Sequence, residues 1–376
     1  MTLLSFENLP LSPEILQSIR EMGFQEASPI QAETIPLLLE GRDIIGQART
    51  GTGKTAAFAI PVIERLETGA RKQIQALVIC PTRELAMQVA EEFRKLMTHR
   101  PDLSVVSIYG GEPIARQFRA LSRNPQIIVG TPGRLLDHYR RGSIRLNTIK
   151  TVVLDEADEM LDMGFRDDIE TILKATPRTR QTVLFSATMS HPILELAGNY
   201  QREPYHVKVE QPPQEVTQIE QMYVEVQRRK KLDALVYLIE NHGLKLALVF
   251  CNTKRQVDDL VQMLRDQGYP ADGLHGGLTQ PRRDRVMNGF RKGIIRFLVA
   301  TDVAARGIDV RNIEAVFNYD VPQDMENYIH RIGRTGRAGS SGRAYTFVER
   351  GELHQLKKIR RTANGTLARA EVPALA

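Results

Sequence analysis

Apolar, β-branched runs punctuate the chain: "DIIGQA" at 43–48, "ALVICP" at 76–81, "SVVSIYGG" at 104–111, "IIVGTP" at 127–132, "TVVLDEAD" at 151–158 and "TVLFSAT" at 182–188. Between them lie amphipathic stretches such as "RELAMQVAEEFRKLM", with apolar residues at Leu85, Val89, Phe93 and Leu96. Runs without in-out alternation are strands buried on both faces, and the stretches between are helices. Together they predict a mostly parallel sheet covered by helices on both faces, an α/β fold. The rhythm then repeats in "ALVFCN" (247–252), "ADGLHGG" (271–277), "RFLVATD" (296–302), "AVFNYD" (315–320) and "AYTFVE" (344–349). The seam is the polar stretch 201–221, which contains Pro204, Pro212 and Pro213. Consecutive prolines resist both helix and central strand, so "QPPQE" reads as a linker. The expected organisation is a first domain over 1–207, a linker over 208–216 and a second domain over 217–376.

The length of 376 residues agrees with two domains rather than one core. A hydrophobic content of 42% and a charged content of 26% fit a globular protein. No apolar run approaches the ~20 residues of a membrane span, and the N-terminus shows no secretory pattern, so a cytoplasmic location without a membrane is expected. Cys80 and Cys251 each end an apolar run and read as buried, reduced thiols. The charge is uneven. Residues 1–206 carry 24 Lys and Arg against 25 Asp and Glu, whereas 207–376 carry 27 against 20. A basic second half suits a polyanionic partner, and equally a solvated basic face.

In open α/β sheets, chemistry gathers at the C-terminal ends of strands, and the polar clusters sit there. After "DIIGQA" comes "RTGTGKT" and then an apolar helix. This strand, glycine loop and helix order presents backbone N–H groups to phosphate. Lys54 would reach the β and γ phosphates, and Thr55 would ligate Mg2+. Ala48 departs from the generic G-x-x-x-x-G-K-S/T pattern. At the end of another strand, Asp155 suits a metal-bound water shell, and Glu156 suits a base for in-line attack of water. Taken alone, the pair also reads as the acidic start of a helix. Phe24 and Gln31 could serve adenine, by stacking and by paired hydrogen bonds, or could be core and helix surface.

"ARTGTGKT" (48–55) with "DEAD" (155–158) resembles the DEAD-box RNA helicases, whose A-x-T-G-x-G-K-T pattern Ala48 matches. The other family motifs follow in order: "GFQEASPIQ" (23–31), "PTREL" (81–85), "GG" (110–111), "TPGR" (131–134), "SAT" (186–188), "VFCNT" (249–253), "QPRR" (280–283), "ATDVAARGID" (300–309) and "HRIGRTGR" (330–337). The resemblance covers roughly residues 6 to 350 and departs at no motif position. It implies two tandem RecA-like domains. It implies ATP binding by Phe24, Gln31, Thr50, Gly51, Thr52, Gly53, Lys54, Thr55 and, at the ribose, Asp309. It implies that Arg334 and Arg337 act as arginine fingers on the γ-phosphate when the domains close. Asp158, Ser186, Thr188 and His330 would couple hydrolysis to that closure.

The same resemblance implies an RNA track through Pro81, Thr82, Arg83, Gly111, Thr131, Pro132, Gly133 and Arg134. In the second domain it continues through Gly276, Gln280, Arg283, Thr301 and Asp302. These residue types suit contacts to phosphate and 2′-hydroxyl, so weak sequence preference is expected. "GRLLDHY" (133–139) resembles the start of the helix that bends one strand in the family. The implied activity is RNA-stimulated ATP hydrolysis with local duplex unwinding. RNA-processing or ribosome-assembly proteins are the fitting protein partners. The rival readings are a DNA helicase on the same domains and an ATP-gated RNA clamp.

Overall fold

The computed structural model describes residues 4–48, 51–67, 73–209, 219–305, 310, 312–323, 325–336, 341–362 and 367–372. The chain divides into two compact units, Met1–Glu210 and Gln211–Ala376. No helix among the described residues is long and apolar enough to cross a membrane.

The first unit opens with α1 (Pro13–Glu21) and α2 (Pro29–Leu39), beside a short antiparallel pair, Leu4–Ser5 with Glu26–Ala27. Its main sheet holds β1 (Ile44–Gln47), β2 (Ala76–Ile79), β3 (Val105–Ile108), β4 (Ile127–Gly130), β5 (Thr151–Leu154), β6 (Gln181–Ser186) and β7 (Tyr205–Lys208). The connecting helices are α3 (Lys54–Glu64), α4 (Arg83–Leu96), α5 (Ile114–Leu121), α6 (Pro132–Arg140), α7 (Ala157–Asp162), α8 (Arg166–Ala175) and α9 (His191–Tyr200). The lateral strand order is β3-β4-β2-β5-β6-β1-β7, and each pairing is parallel.

The second unit holds β8 (Ile219–Glu225), β9 (Ala247–Phe250), β10 (Ala271–Leu274), β11 (Phe297–Ala300), β12 (Ala315–Asn318), β13 (Gly342–Val348) and β14 (Ala368–Arg369). Its helices are α10 (Lys231–Asn241), α11 (Lys254–Asp266), α12 (Gln280–Arg291), α13 (Asp302–Ala305), α14 (Met325–Ile332) and α15 (Leu353–Thr362). The strand order is β10-β11-β9-β12-β13-β8-β14, again parallel throughout. This is the topology of the first unit, with each strand number raised by seven.

The sequence pattern explains why the sheets are covered twice. In β2, all four residues of "ALVI" are buried. Because side chains alternate across a strand, Ala76 and Val78 pack with Phe58, Phe93 and Phe185, while Leu77 and Ile79 pack with Leu135, Leu154 and Leu184 on the other face. In β9, Ala247 and Val249 likewise separate from Leu248 and Phe250. Helix α4 buries Val89, Phe93 and Leu96 as its spacing predicts, and adds Ala86 and Ala90, while Leu85 is half-buried.

The two ends of the seam form strands that its polar composition does not announce. β7 pairs with β1 along the sheet edge but buries only Val207, so it carries no apolar run to reveal it. β8 emerges from "TQIEQ" and pairs with β13 over seven residues. Of the expected 208–216 linker, Lys208 ends β7, and residues 210–216 lie outside the described residues.

Candidate functional site

The glycine loop connects β1 to α3 and is held from behind by α2. Gly51 and Gly53 take φ values of +87° and +88°, a region that strains any residue with a Cβ. At Gly53, a Cβ would also lie 2.5 Å from Gln31 Nε2. Gln31 does two jobs at once. Its Oε1 accepts the Ser28 N–H at 2.8 Å, closing the capping box of α2, and its Nε2 donates to the Gly53 carbonyl at 3.0 Å. Ser28 Oγ donates to the Thr52 carbonyl at 2.8 Å. An amide has two donors and two lone pairs, so Gln31 retains one of each for a base edge. Phe24 follows the left-handed Gly23 and leaves 40% of its surface exposed. Thr55 is half-buried in the first turn of α3, and Thr50 lies outside the described residues.

Lys54 and Asp155 meet at the end of β5. Lys54 Nζ stands 3.8 Å from Asp155 Oδ1, both side chains are buried, and neither atom has a hydrogen-bond partner. Burial pushes the Asp155 carboxyl up, against the opposing pull of the Lys54 ammonium. Leaving a buried charge without full solvation or pairing is costly. Phosphate oxygens on Lys54, and a hydrated cation between Thr55 and Asp155, would supply what these atoms lack. The residues present therefore fit a nucleotide with Mg2+.

Glu156 follows in the left-handed conformation, with φ and ψ both +53°. For a residue other than glycine this costs about 1–3 kcal/mol, a strain typical of functional positions. Asp158 then binds the neighbouring strand end. Its Oδ2 accepts from Ala187 N and Thr188 N, both at 2.9 Å, and from Thr188 Oγ1 at 3.2 Å. Ser186 Oγ donates to the Thr188 carbonyl at 2.7 Å, and Gln47 at the end of β1 donates to the Ala187 carbonyl at 3.3 Å. The structure thus brings "DEAD", "SAT" and the phosphate strand into one hydrogen-bonded group.

A second cluster forms at the ends of β2, β3 and β4. Thr82 caps α4 by accepting from Leu85 N at 3.2 Å, behind a buried Pro81. Arg83 lies against Gly111, where φ is +81° and a Cβ would fall 1.9 Å from Arg83 Nη1. Thr131 and Pro132 open α6, Gly133 is exposed on its first turn, and Arg134 donates to the Glu112 carbonyl at 3.2 Å. The expected RNA residues of the first unit therefore form one cluster at neighbouring strand ends, with Pro81, Thr82, Thr131 and Pro132 buried and Gly111 and Gly133 exposed. Gln117 and His138, buried behind it, went unread because polar residues on amphipathic helices look like solvated surface.

In the second unit, His275 shapes the loop after β10. Its Nδ1 accepts the Gly277 N–H at 3.1 Å and its Nε2 pairs with Asp258 at 3.0 Å, which positions the neighbouring Gly276. Gln280 starts α12 and bonds Asp284 at 2.8 Å, while Arg283 reaches the His275 carbonyl at 3.5 Å. Thr301 follows β11, and its carbonyl accepts from Ala304 N and Ala305 N to begin α13. Asp302 accepts from Arg331 with both carboxylate oxygens, at 2.5 and 2.7 Å, so its side chain is committed within the unit.

Arg331 is 1% exposed, bonds Asn252 and the Asp320 carbonyl, and sits over the Phe250 ring. Within "HRIGRTGR" the sequence did not separate this internal arginine from its neighbours. Arg334 occupies the turn after α14 and, with His330, Asn327 and Ala305, lines a small pocket. Asp309 and Arg337 lie outside the described residues.

Family comparison agrees with this arrangement. Residues 28–196 match the DEAD/DEAH box helicase family and 230–339 the helicase conserved C-terminal domain. The DEAD-box ATP-dependent RNA helicase CshA of Bacillus cereus is 53% identical over 371 residues, 99% of this chain and 70% of that protein. CshA of Bacillus subtilis is also 53% identical, over 99% of this chain and 75% of its own length. Among solved structures, S. cerevisiae Dbp5 bound to RNA and ADP BeF3 aligns with a TM-score of 0.86 at 34% identity, covering 97% of this chain and 95% of that one. With both family domains matched in order on tandem RecA-like units, the chain belongs to the DEAD-box ATP-dependent RNA helicase family.

Proposed function

We propose that the protein hydrolyses ATP to ADP and phosphate in response to RNA, and uses the resulting closure of its two units to separate short RNA duplexes locally. The observation that carries this reading is the buried Lys54–Asp155 pair, whose facing atoms have no hydrogen-bond partners, beside the Asp158 bonds to the "SAT" segment. Phe24 and Gln31 hold adenine, and the loop N–H groups with Lys54 hold the phosphates. Thr55 and Asp155 hold Mg2+, which when bound neutralises charge on the β and γ phosphates. Glu156 orients the attacking water and accepts its proton.

Closure brings Arg334 and Arg337 to the γ-phosphate and Asp309 to the ribose. Such a finger contributes about 10³–10⁵ in rate. The expected RNA track grips phosphates and 2′-hydroxyls through backbone, Thr and Arg donors, so many sequences serve as substrate. The protein works in the cytoplasm, with RNA-processing or ribosome-assembly proteins as its partner class.

The test is the steady-state ATPase rate without nucleic acid, with single-stranded RNA, and with single-stranded DNA of equal length at equal salt. Stimulation by RNA alone is expected. Equal stimulation by DNA would replace the RNA reading with a DNA helicase. No stimulation by either would favour an RNA clamp.

A further inference from the structure

Gln117 lies on α5, outside every motif read from the sequence, yet it is only 2% exposed. Its amide makes four hydrogen bonds, the full capacity of two N–H donors and two lone pairs. Nε2 donates to the Tyr109 carbonyl at 2.8 Å and to Glu112 Oε2 at 3.2 Å. Oε1 accepts from Arg134 Nη1 at 3.0 Å and pairs with His138 Nε2 at 2.9 Å. The first two partners flank the Gly110–Gly111 turn. The other two lie on α6, whose N-terminus carries Thr131, Pro132 and Gly133. One buried amide therefore joins two segments that are separate in sequence and expected on the same RNA strand.

The orientation of the amide follows from its neighbours. Reversing it would point N–H groups at the Arg134 cation and an oxygen at the Tyr109 carbonyl. With Oε1 as acceptor, His138 donates from Nε2, and Ser143 Oγ lies 2.8 Å from its Nδ1 and 2.9 Å from its carbonyl oxygen. Burial first, and the Arg134 charge second, hold His138 below its usual pKa, which keeps this link neutral. The Phe118 ring closes edge-on over the imidazole at 5.3 Å. Arg134 is held by Nη1 alone, through Gln117 and the Glu112 carbonyl. Among the described residues its Nε and Nη2 groups make no hydrogen bond, so the anchored guanidinium keeps donors for another partner.

We propose that Gln117, backed by His138, is a positioning residue of the RNA track: it fixes the Gly110–Gly111 turn against α6 and aims Arg134 at an RNA phosphate. This rests on the RNA reading of the cluster given above. The test uses the full chain and a single-stranded oligouridylate. The RNA concentration for half-maximal ATPase is measured for the parent, Gln117→Met, Arg134→Ala and the double variant, with a thermal melt of each. Methionine keeps the length of the side chain and fills the space without strong hydrogen bonding.

Losing a hydrogen bond to a charged group in this setting should raise the half-saturating RNA concentration about tenfold. The rate at saturating RNA should change less than about twofold. Because Gln117 acts through Arg134, the double variant should be no worse than Arg134→Ala, a coupling that general destabilisation would not produce. An unchanged half-saturation in Gln117→Met, or single penalties that multiply in the double variant, overturns the proposal. If Gln117→Met loses its cooperative melt, His138→Phe removes one bond to Oε1 and should shift half-saturation about threefold, with the same coupling required. An Arg134→Ala variant with parental RNA dependence would instead sink the RNA reading of the cluster, and the positioning role with it.

Discussion

Glu156 stands 7% exposed in a left-handed conformation that its neighbours must enforce, one residue beyond the Asp155 carboxylate. The proposed role as base requires charge and basicity, while its place in the chain requires only size. Glu156→Gln should therefore retain ATP and RNA binding and lower the single-turnover hydrolysis rate by about 10²–10⁴. Parental hydrolysis in that variant would return the role of base to another group. Gly53 presents the opposite case, in which a missing side chain matters. Gly53→Ala adds both positive-φ strain and a methyl 2.5 Å from Gln31 Nε2, so the loop must give up the Gln31 clasp. A fluorescent ATP analogue should bind it at least about tenfold more weakly, while the melting transition moves little. The sequence made Gly53 readable through "GTGKT", but not the clasp, because the Gln31 amide and the Gly53 carbonyl are 22 residues apart and nothing local joins them.

At the scale of elements, legibility followed burial. The strands buried on both faces were plain as apolar runs, and α4 was plain in its spacing. β7 was hidden because three of its four side chains are exposed, and β8 because polar residues interrupt its buried positions. Polar links between elements were hidden for a related reason. Gln117, His138 and Arg331 drew no reading from the sequence, because their partners come only with tertiary structure. The apolar face of α4 carries a prediction of its own. Phe93 is fully buried, with its ring centroid 6.3 Å from that of Phe58. Truncation leaves a cavity that flanking helices cannot fill, so Phe93→Ala should destabilise the first unit by about 3–5 kcal/mol. Chemical denaturation should show a lower midpoint for that unit's transition, and a shift below about 1 kcal/mol would mean that the helix repacks.

For the whole molecule, the repeated strand order says that one architecture was used twice, and the proposed chemistry draws on residues of both copies. Lys54, Asp155 and Glu156 belong to the first unit, and Arg334 to the second. Each unit has apolar clusters on both faces of its own sheet, so each has what it needs to fold alone. The fragment 1–210 should accordingly melt cooperatively and bind ATP, yet show no RNA-stimulated hydrolysis. Mixing it with 211–376 at micromolar concentration should restore little activity, because a short tether holds two modules at roughly millimolar effective concentration. Activity that rises linearly with the added second fragment would measure the missing tether directly. Full RNA-stimulated hydrolysis by 1–210 alone would instead remove Arg334 and Arg337 from the reaction, and would reduce the second unit to an RNA grip.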